Sequence, residues 1–335
     1  MRLCILDFNV WSGLTYQGMF HMQTYGDLDF RHRRRHSMIE QIRTLNPDVV
    51  CLHELNPVPS EAAFIAKALD MDVFWHIHLA GIRLGPIGMP WNLYEGDAIF
   101  ARKSLGLKAL GRRKLSGGLV TRYASFNAQD ATQILAAQIQ CEDRVVPIFT
   151  THWHAGVTPG PDIEDRAKRI EKEEGVEPAK IQKALEMMRG NAGIRLKEAA
   201  WTVDFVDRTL ERTQAENPFA ILSGDFNANP GTPEIRHLLD HGFADAYSAK
   251  HDDLGPTWDY AQNDHHKTFY SDYDPDLYLR LNYTRLKIPH RLDYIFYRPS
   301  PTTTLLRCEI AMKDRIAGVQ ASDHFGVLAE FSLDG

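Results

Sequence analysis

The chain has 335 residues, of which 44% are hydrophobic and 24% are charged, which is enough apolar material for one large domain or two small ones. Its formal net charge of −6 disfavours a protein that coats nucleic acid, although a local basic patch stays compatible with that charge. No apolar run reaches the roughly 18 residues of a membrane-spanning helix. The first eleven residues are too short and too acidic for a signal peptide, so we expect a cytoplasmic protein, or a secreted one if a leader was removed before numbering.

Short runs rich in Val, Ile and Phe, each bounded by Gly, Pro, Asn or Asp, predict β-strands. In chain order these runs are residues 2–11, 48–55, 97–102, 131–140, 145–154, 219–226, 291–298 and 325–333. The spacing of apolar residues predicts helices over 35–45, 60–70 and 194–211. Because strands and helices alternate without a Pro/Gly/Ser-rich linker, we predict one α/β domain over residues 1–335, with strands buried on both faces.

Residues 155–193 interrupt the step from a predicted strand to its following helix. They contain one highly charged helical pattern and one more amphipathic pattern. A segment this long between core elements is usually functional. We predict a helical insertion here, which is either a lid or partner surface or a solvated excursion without a role.

Hydrogen-bonding and metal-binding side chains recur where the predicted strands begin or end, which is where α/β folds place their sites. These residues are Asn9, Glu54, His152, Asp225, Asn227, Asp293, Asp323 and His324. Each one alone is more often a turn, a cap or a structural histidine, but the whole set is hard to assign to turns. Asp225 and Asn227 are two residues apart and would share one face of an extended backbone, where they can position a water and hold a phosphate oxygen.

The segments "GDFNANP" (224–230), "RLDYIF" (291–296) and "SDHFGVLAEF" (322–331) together resemble the endonuclease/exonuclease/phosphatase superfamily, the DNase I-like phosphoesterases. The resemblance runs from Asn9 to about Phe331, which is nearly the whole chain. It implies a four-layer α/β sandwich, in which two mixed β-sheets pack face to face with helices outside. It also implies a metal-dependent phosphoric ester hydrolase.

The resemblance implies a metal site. Glu54 would be the principal ligand of Mg²⁺, with Mn²⁺ as the alternative, and Asn9 and Asp323 would complete or support that site. A phosphodiester is anionic and repels hydroxide, so a hard cation held by carboxylate and amide oxygens must offset the charge that develops during attack. Mg²⁺ keeps several waters, so one or two protein carboxylates suffice.

The resemblance also implies the catalytic roles. His152 would contact the phosphate and help the leaving oxygen to depart. Asp225 would orient or deprotonate the attacking water, and Asn227 would hold a phosphate oxygen. His324 would act as the general base, with Asp293 fixing its tautomer and stabilising the imidazolium.

Three positions leave the subfamily and the site less defined. His53 stands before Glu54 where the family commonly has Gln, and Gly326 stands where a Pro often follows the "SDH" element by one residue. Neither change removes a catalytic group. His154 lies two residues beyond His152 and would face the same way on an extended strand, so it makes either a second phosphate contact or a structural hydrogen bond.

The segments "NVWSG", "THWHAG", "GFADAY" and "PHRLDYIFYR" are similar to the neutral sphingomyelinase-like branch, which implies a phospholipid headgroup as substrate. An apolar loop over 79–96 and an aromatic stretch over 258–283 agree with an enzyme that works at a membrane surface, unless both fold back onto the domain. No transmembrane segment is predicted, and the oligomeric state is left open.

Three other functions remain open. Two basic clusters favour a nuclease: one at 31–36, at the start of the first predicted helix, and one at 111–114. Nucleic acid is nevertheless the less favoured substrate. A phosphatase acting on a soluble phosphate ester has no feature in its favour. A non-catalytic scaffold would lack a ligand or a base, whereas every expected position here carries a competent residue.

Overall fold

The structure, a computed structural model, describes residues 1–15, 20–121, 123–127, 131–156, 163–213, 219–269 and 289–333. The strands are β1 (Arg2–Asn9), β2 (Leu14–Thr15), β3 (Gln23–Thr24), β4 (Val49–Leu55), β5 (Met71–Leu79), β6 (Ile82–Leu84), β7 (Ile87–Met89), β8 (Glu95–Arg102), β9 (Lys108–Ser116), β10 (Leu119–Val120), β11 (Ala124–Phe126), β12 (Thr132–Cys141), β13 (Arg144–His152), β14 (Ala220–Asp225), β15 (Ala244–Asp245), β16 (Asp293–Arg298), β17 (Thr304–Ala311) and β18 (Gly326–Ser332). The α-helices are α1 (Leu28–Leu45), α2 (Val58–Leu69), α3 (Ile163–Glu174), α4 (Pro178–Thr213), α5 (Pro233–Asp240) and α6 (Asp264–Phe269).

Two six-stranded sheets form the centre of the protein. The first has the strand order β17-β18-β1-β4-β8-β5, and the second has the order β15-β16-β14-β13-β12-β9. Both sheets are mixed, since β1 runs parallel to β4 but antiparallel to β18, and β14 runs parallel to β13 but antiparallel to β16. Ile5 and Val49 of the first sheet share one apolar core with Leu135 and Ile221 of the second. The two sheets therefore pack face to face.

Helices cover the outer faces. Met38 and Ile42 of α1 and Val58 of α2 pack against the first sheet. Val203 of α4 and Leu238 of α5 pack against the second. The four-layer α/β sandwich predicted from the sequence is confirmed.

All eight predicted strands are present, with ends shifted by no more than two residues. The long strands that the sequence did not reveal are β5, β9 and β17, and each lies at the edge of a six-stranded sheet. An edge strand is exposed along one side and tolerates polar residues, so the apolar runs that marked the central strands are weaker there. The apolar stretch 79–96 was predicted as a loop, but it contains β6 and β7, which join β10 and β11 in a four-stranded sheet.

Helix boundaries differ more from the prediction. α1 begins at Leu28, seven residues before the predicted start, because the side chain of Asp27 accepts a hydrogen bond from the Phe30 N–H and caps the helix. It ends as predicted, where Asn46 adopts a left-handed conformation before Pro47.

The predicted insertion over 155–193 forms α3 and the first half of α4. The predicted helix 194–211 is the second half of α4, so the predicted boundary at residue 193 falls inside one continuous helix. Ile163 and Ile170 of α3 pack with Leu185 and Met188 of α4 in an apolar cluster separate from the main core. The single-domain organisation and the role of this insertion stay predictions.

Candidate active site

The strand pairing brings the predicted site residues of the second sheet side by side. His152 ends β13 and Asp225 ends β14, and these two residues are partners in the parallel register. Asp293 begins β16 and is paired with Asp225 in the antiparallel register. Three neighbouring strands therefore present an imidazole and two carboxylates at one end of the sheet.

Asn9 connects this group to the first sheet. Its buried side-chain nitrogen donates hydrogen bonds to Glu54 Oε1 and to Asp225 Oδ2, both at 2.9 Å. Its oxygen accepts from the Trp11 N–H at 2.9 Å, which orients the amide so that the NH₂ group faces the two carboxylates. One amide thus fixes the separation between the proposed metal ligand of one sheet and the proposed water-orienting group of the other.

Glu54 has a backbone φ of +60°, a left-handed conformation that costs free energy for a residue other than glycine. Its second oxygen, Oε2, accepts from the Ser12 N–H at 3.0 Å. Burial alone would raise the pKa of Glu54, but nearby His152, the Asn9 amide and the Ser12 N–H together lower it. The strained position therefore holds an ionised carboxylate.

The backbone after Asp225 differs from the prediction. Asn227 was expected to continue an extended strand, but β14 ends at Asp225 and Asn227 has a left-handed φ of +49°. The reason is a local turn, in which Asp225 Oδ1 accepts the Asn227 N–H at 2.9 Å. The Asn227 side chain donates to the Trp153 carbonyl at 3.1 Å, so the argument that the two side chains share a strand face was wrong.

His324 and Asp293 form a buried pair. His324 Nδ1 lies 2.8 Å from Asp293 Oδ2, and His324 Nε2 lies 3.9 Å from Asp225 Oδ2. Burial raises the pKa of Asp293 to about 6 even though His324 opposes this. Burial would lower the pKa of His324, but the carboxylates of Asp293 and Asp225 outweigh it and raise that pKa well above its ordinary value.

Asp323 lies beside this pair and is mostly buried. Burial and the charge of Glu54 raise the pKa of Asp323 to about 6, against the opposing charges of His324 and Arg34. Two negative groups that destabilise each other in a buried site are an arrangement that a cation would relieve.

Arg34 is a structural residue of the site that sequence reasoning missed. It is buried and donates hydrogen bonds to the carbonyls of Val10, Trp11 and Ala321, so it holds the segments that follow Asn9 and precede Asp323. The signal was the basic cluster at 31–36, for which the sequence offered an external anion or, as the favoured alternative, a solvated or salt-bridged face.

The basic clusters are largely engaged within the protein. The cluster 31–36 was predicted to lie at the start of a helix. Because α1 begins at Leu28, the cluster instead lies within the helix. Arg33 pairs with Asp29 and Arg35 pairs with Glu61. In the second cluster, Arg113 pairs with Asp204.

His152 and His154 have different surroundings. His152 Nε2 lies 3.6 Å from Asp225 Oδ2, at the centre of the site. His154 lies beyond the end of β13, and its ring hydrogen-bonds Asn191 of α4 at 3.2 Å while its N–H donates to Glu198 at 2.8 Å. The two rings do not share a strand face, and His154 makes structural hydrogen bonds.

The sequence from residue 8 to residue 324 matches the endonuclease/exonuclease/phosphatase family, a range that contains all eight of the predicted site residues. The chain belongs to this family. The family resemblance predicted from the sequence is confirmed, and members of the family are hydrolases that act on phosphoesters.

Several solved structures share the fold of this chain at low sequence identity. A humanised TDP2 of D. rerio is 16% identical with a TM-score of 0.56, and each chain is covered over 99% of its length. A family protein from Bacteroides thetaiotaomicron is 16% identical with a TM-score of 0.57, covering 99% of this chain and 95% of that one. The human Nocturnin catalytic domain is 15% identical with a TM-score of 0.56, covering 99% and 93%. A comparison with curated proteins finds no match.

Enzymes of this family typically depend on a divalent metal ion, and the site offers groups that suit one. One ligand atom each from Glu54, His152 and Asp225 lies within 4.8 Å of the others, and the same holds for Asp225, Asp293 and His324. None of the described helices is long and apolar enough to cross a membrane.

Proposed function

We propose that this protein is a Mg²⁺-dependent phosphodiesterase that hydrolyses its substrate by in-line attack of water. The observation that carries the proposal is the convergence of three groups on Asp225 Oδ2. Asn9 donates to this oxygen at 2.9 Å, His152 Nε2 lies 3.6 Å from it and His324 Nε2 lies 3.9 Å from it. Asn9 also ties Glu54 to the same point. These residues are separated by up to 315 positions in the chain, so their convergence is a property of the fold.

The residues fit a hard dication. Glu54 is ionised and partly open to solvent, and the carboxyl group of Asp323 is destabilised by the charge of Glu54. Glu54 and Asp323 would hold Mg²⁺, or Mn²⁺, through carboxylate oxygens. The Asn9 oxygen already accepts from Trp11, so Asn9 supports the site by positioning Glu54. The bound ion would offset the negative charge that develops on the phosphate oxygens.

The protein's own side chains handle the water and its proton. Asp225 would orient the attacking water between the two imidazoles, and a neutral His324 would accept its proton at Nε2 while Asp293 holds the proton on Nδ1. His152 and Asn227 would contact phosphate oxygens, with His152 also donating a proton to the leaving oxygen.

The proposal is tested by single substitutions assayed on a phosphodiester panel with Mg²⁺ present or chelated. Glu54→Ala and His324→Ala should each reduce turnover about 100- to 10,000-fold without unfolding the protein. His36→Ala, on the exposed surface of α1, is the matched control and should keep wild-type turnover. Near-normal activity of either site variant, or full activity after chelation, would overturn the assignment.

A phospholipid headgroup is the substrate that we favour, because of the four-stranded sheet formed by β6, β7, β10 and β11. The apolar side chains of this sheet and its connections point into solvent instead of folding back onto the domain: Leu84 is 76% exposed, Ile87 79% and Trp91 60%. Tyr123 and Phe126 are also exposed. A contiguous apolar surface of this kind is typical of a protein that meets an interface.

This apolar sheet adjoins the site. The Asn127 N–H donates to the Gly81 carbonyl at 3.1 Å, and the ring of His78, three residues before Gly81, lies 5.9 Å from the ring of His152. The sequence has no acidic residue from 81 to 94 or from 103 to 127, whereas Arg112 and Lys114 lie on the adjoining β9. An apolar face with a cationic margin suits phospholipid headgroups. The aromatic stretch 258–283, predicted to support the same surface, lies outside the described residues from position 270 onward.

A nuclease is the second candidate, and one observation favours it: a D. rerio TDP2 structure complexed with single strand DNA product shares the fold, at 17% identity and a TM-score of 0.55. Against it, four arginines of the two basic clusters are engaged by internal partners. The panel should therefore contain sphingomyelin and lysophospholipids beside single- and double-stranded DNA, RNA and inositol phosphates. Preference for a nucleic acid, with affinity that falls steeply as salt rises, would replace the lipid proposal.

A vesicle-binding assay separates the lipid surface from the chemistry. The triple variant Leu84→Ser, Ile87→Ser and Trp91→Ser should lose co-sedimentation with anionic phospholipid vesicles but keep hydrolysis of a soluble phosphodiester. The matched control is Met187→Ser, Leu196→Ser and Trp201→Ser on α4, three side chains that are also more than a third exposed. Equal vesicle binding by both triple variants would exclude the sheet as the docking face.

A further inference from the structure

A second group of ionisable side chains is buried beside the site just described. His78 on β5 and Glu95 and Asp97 on β8 are each less than a tenth exposed. The irregular pairing of β5 with β8 between Ile77 and Leu79 brings these residues together on neighbouring strands. No role in the proposed hydrolysis uses His78, Glu95 or Asp97.

The tautomer of His78 indicates what this group can bind. His78 Nδ1 lies 2.6 Å from the Ala131 carbonyl, and because a carbonyl only accepts hydrogen bonds, Nδ1 carries a proton. In the neutral ring the lone pair is therefore on Nε2. That atom is buried and has no hydrogen-bond partner among the described residues, and it faces Glu95 Oε1 at 3.8 Å and Asp97 Oδ1 at 3.9 Å. A metal-bound histidine usually donates its other ring N–H to a carboxylate, a backbone carbonyl or water, and the Ala131 carbonyl accepts that N–H here.

His152 completes the group. One ligand atom each from His78, Asp97 and His152 lies within 4.8 Å of the others. Within the part of the chain that the structure describes, the buried Nδ1 atom of His152 has no hydrogen-bond partner, while Nε2 faces Asp225. Two ligand atoms bound at about 2.0–2.1 Å to one ion lie roughly 3–4 Å apart, which matches the separations around His78 Nε2.

The remaining contacts of Asp97 orient it as a metal site requires. Its Oδ1 lies 3.3 Å from His53 Nδ1, and its Oδ2 accepts from the Gln133 amide at 3.2 Å. His53, the residue that departs from the family's Gln, is held on its other side by Asp7 at 3.0 Å. These hydrogen bonds fix the orientation of the Asp97 carboxylate, as outer hydrogen bonds do for the ligands of a metal site.

We propose that His78, Asp97 and His152, with Glu95 beside them, form a second metal site that binds a transition-metal dication of the Zn²⁺ type. Two imidazoles with carboxylate oxygens suit Zn²⁺, whereas Mg²⁺ prefers oxygen ligands alone. This site is distinct from the carboxylate site at Glu54 and Asp323. An ion on His152 Nδ1 leaves the proton of the neutral ring on Nε2, which faces Asp225, so it would set His152 as a hydrogen-bond donor to the phosphate. That consequence rests on the proposed function, but the binding of the ion does not.

The test is metal binding by the whole chain, without a substrate. Chelator-treated protein is dialysed against Zn²⁺ in the presence of excess Mg²⁺, and bound zinc is measured by mass spectrometry; Co²⁺ in place of Zn²⁺ gives a visible absorption spectrum that reports its ligands. We expect His78→Asn to bind one equivalent less than the wild type, or at least tenfold more weakly. His76→Asn, on the same strand, is the control and should match the wild type. Glu54→Gln should keep this equivalent while losing hydrolysis.

Two results would overturn the proposal. One is equal zinc binding by His78→Asn and the wild type. The other is the loss of all zinc in Glu54→Gln, which would place the ion at the carboxylate site. If circular dichroism shows that His78→Asn does not fold, the wild-type Co²⁺ spectrum decides: absence of imidazole-ligand bands excludes the site.

Discussion

The side-chain nitrogen of Asn9 lies 2.9 Å from Asp225 Oδ2, a hydrogen bond that joins the last residue of β1 to the last residue of β14 across the two sheets. Asn9→Ala removes the donor shared by two carboxylates, so Glu54 and Asp225 would separate and their charges would lose a common partner. We expect kcat/KM to fall about 10- to 100-fold. The free energy of unfolding should fall by about 1–3 kcal/mol.

Gln41→Ala is the control for that measurement. Gln41 is also a buried amide, which bridges α1 to the backbone of Asp314 through both its nitrogen and its oxygen. It should lose comparable stability in denaturant titrations without losing activity. A loss of activity in Asn9→Ala no greater than in Gln41→Ala would show that Asn9 acts only on stability.

The Asp293–His324 pair predicts a change in the pH profile. Asp293→Asn keeps the shape of the side chain but removes a carboxylate that raises the pKa of His324. Because the proposed base is active only when deprotonated, the ascending limb of the rate against pH should move to lower pH in the variant. We also expect kcat to fall about 100- to 10,000-fold, since Asn no longer holds the tautomer, with KM little changed. If the ascending limb does not shift, His324 is not the general base.

Gly224 allows β14 to approach β13 closely, just before Asp225. A Cβ added at Gly224 would lie 2.0 Å from the Thr151 carbonyl oxygen, so Gly224→Ala must displace one of the two strands. We expect a loss of about 1–3 kcal/mol in the free energy of unfolding. Gly190 lies at an exposed position of α4, and a Cβ added there has no atom within 4 Å. Gly190→Ala should therefore stabilise the protein by about 0.5–1 kcal/mol. Thermal unfolding of both variants checks the contrast, and equal effects would refute it.

His266 predicts a loss of stability in mild acid. It is fully buried against Trp258, and burial lowers its pKa to about 3. In the unfolded chain His266 binds a proton near pH 6.5, whereas in the folded protein it stays neutral until about pH 3. The free energy of unfolding therefore falls as the pH falls through this range. Between pH 6.5 and pH 5 the expected loss from this group is about 2 kcal/mol.

His266→Asn removes the titrating ring, so the slope of unfolding free energy against pH should be shallower than in the wild type. The slope is the readout because the substitution also changes packing. His36→Asn, on the exposed face of α1, should leave the slope as it is. Parallel curves for wild type and His266→Asn would mean that another group causes the acid sensitivity.

The central strands were predictable because burial on both faces imposes a continuous apolar run, as in "AILSG" of β14. Edge strands such as β9, with the sequence "KALGRRKLS", carry no such run, since one side needs no apolar partner. The helix α4 was predicted from residue 194 onward, because the apolar residues of its first half pack with α3 in a cluster of their own and follow a separate pattern.

The residue types of the candidate site were apparent from the ends of the strands, but their contacts were not. The hydrogen bond between Asn9 and Asp225 joins residues 216 positions apart, and no local pattern encodes it. The turn at Asn227 replaced the expected strand because the Asp225 carboxylate captures its N–H. His78 and Asp97 lay inside predicted or unrecognised strands and drew no notice, since a buried acid or imidazole is conspicuous only once its neighbours are known.

Strand β1 lies directly between β4 and β18 in the first sheet. Asn9 therefore takes its place only after a partner from beyond residue 325 has been added to the sheet, which gives the fold a large share of long-range contacts and a late assembly step. A nascent chain on the ribosome would carry most of its catalytic groups for many seconds without a working hydrolase. The proposed phosphodiesterase activity would therefore arise only after β18 has joined the first sheet.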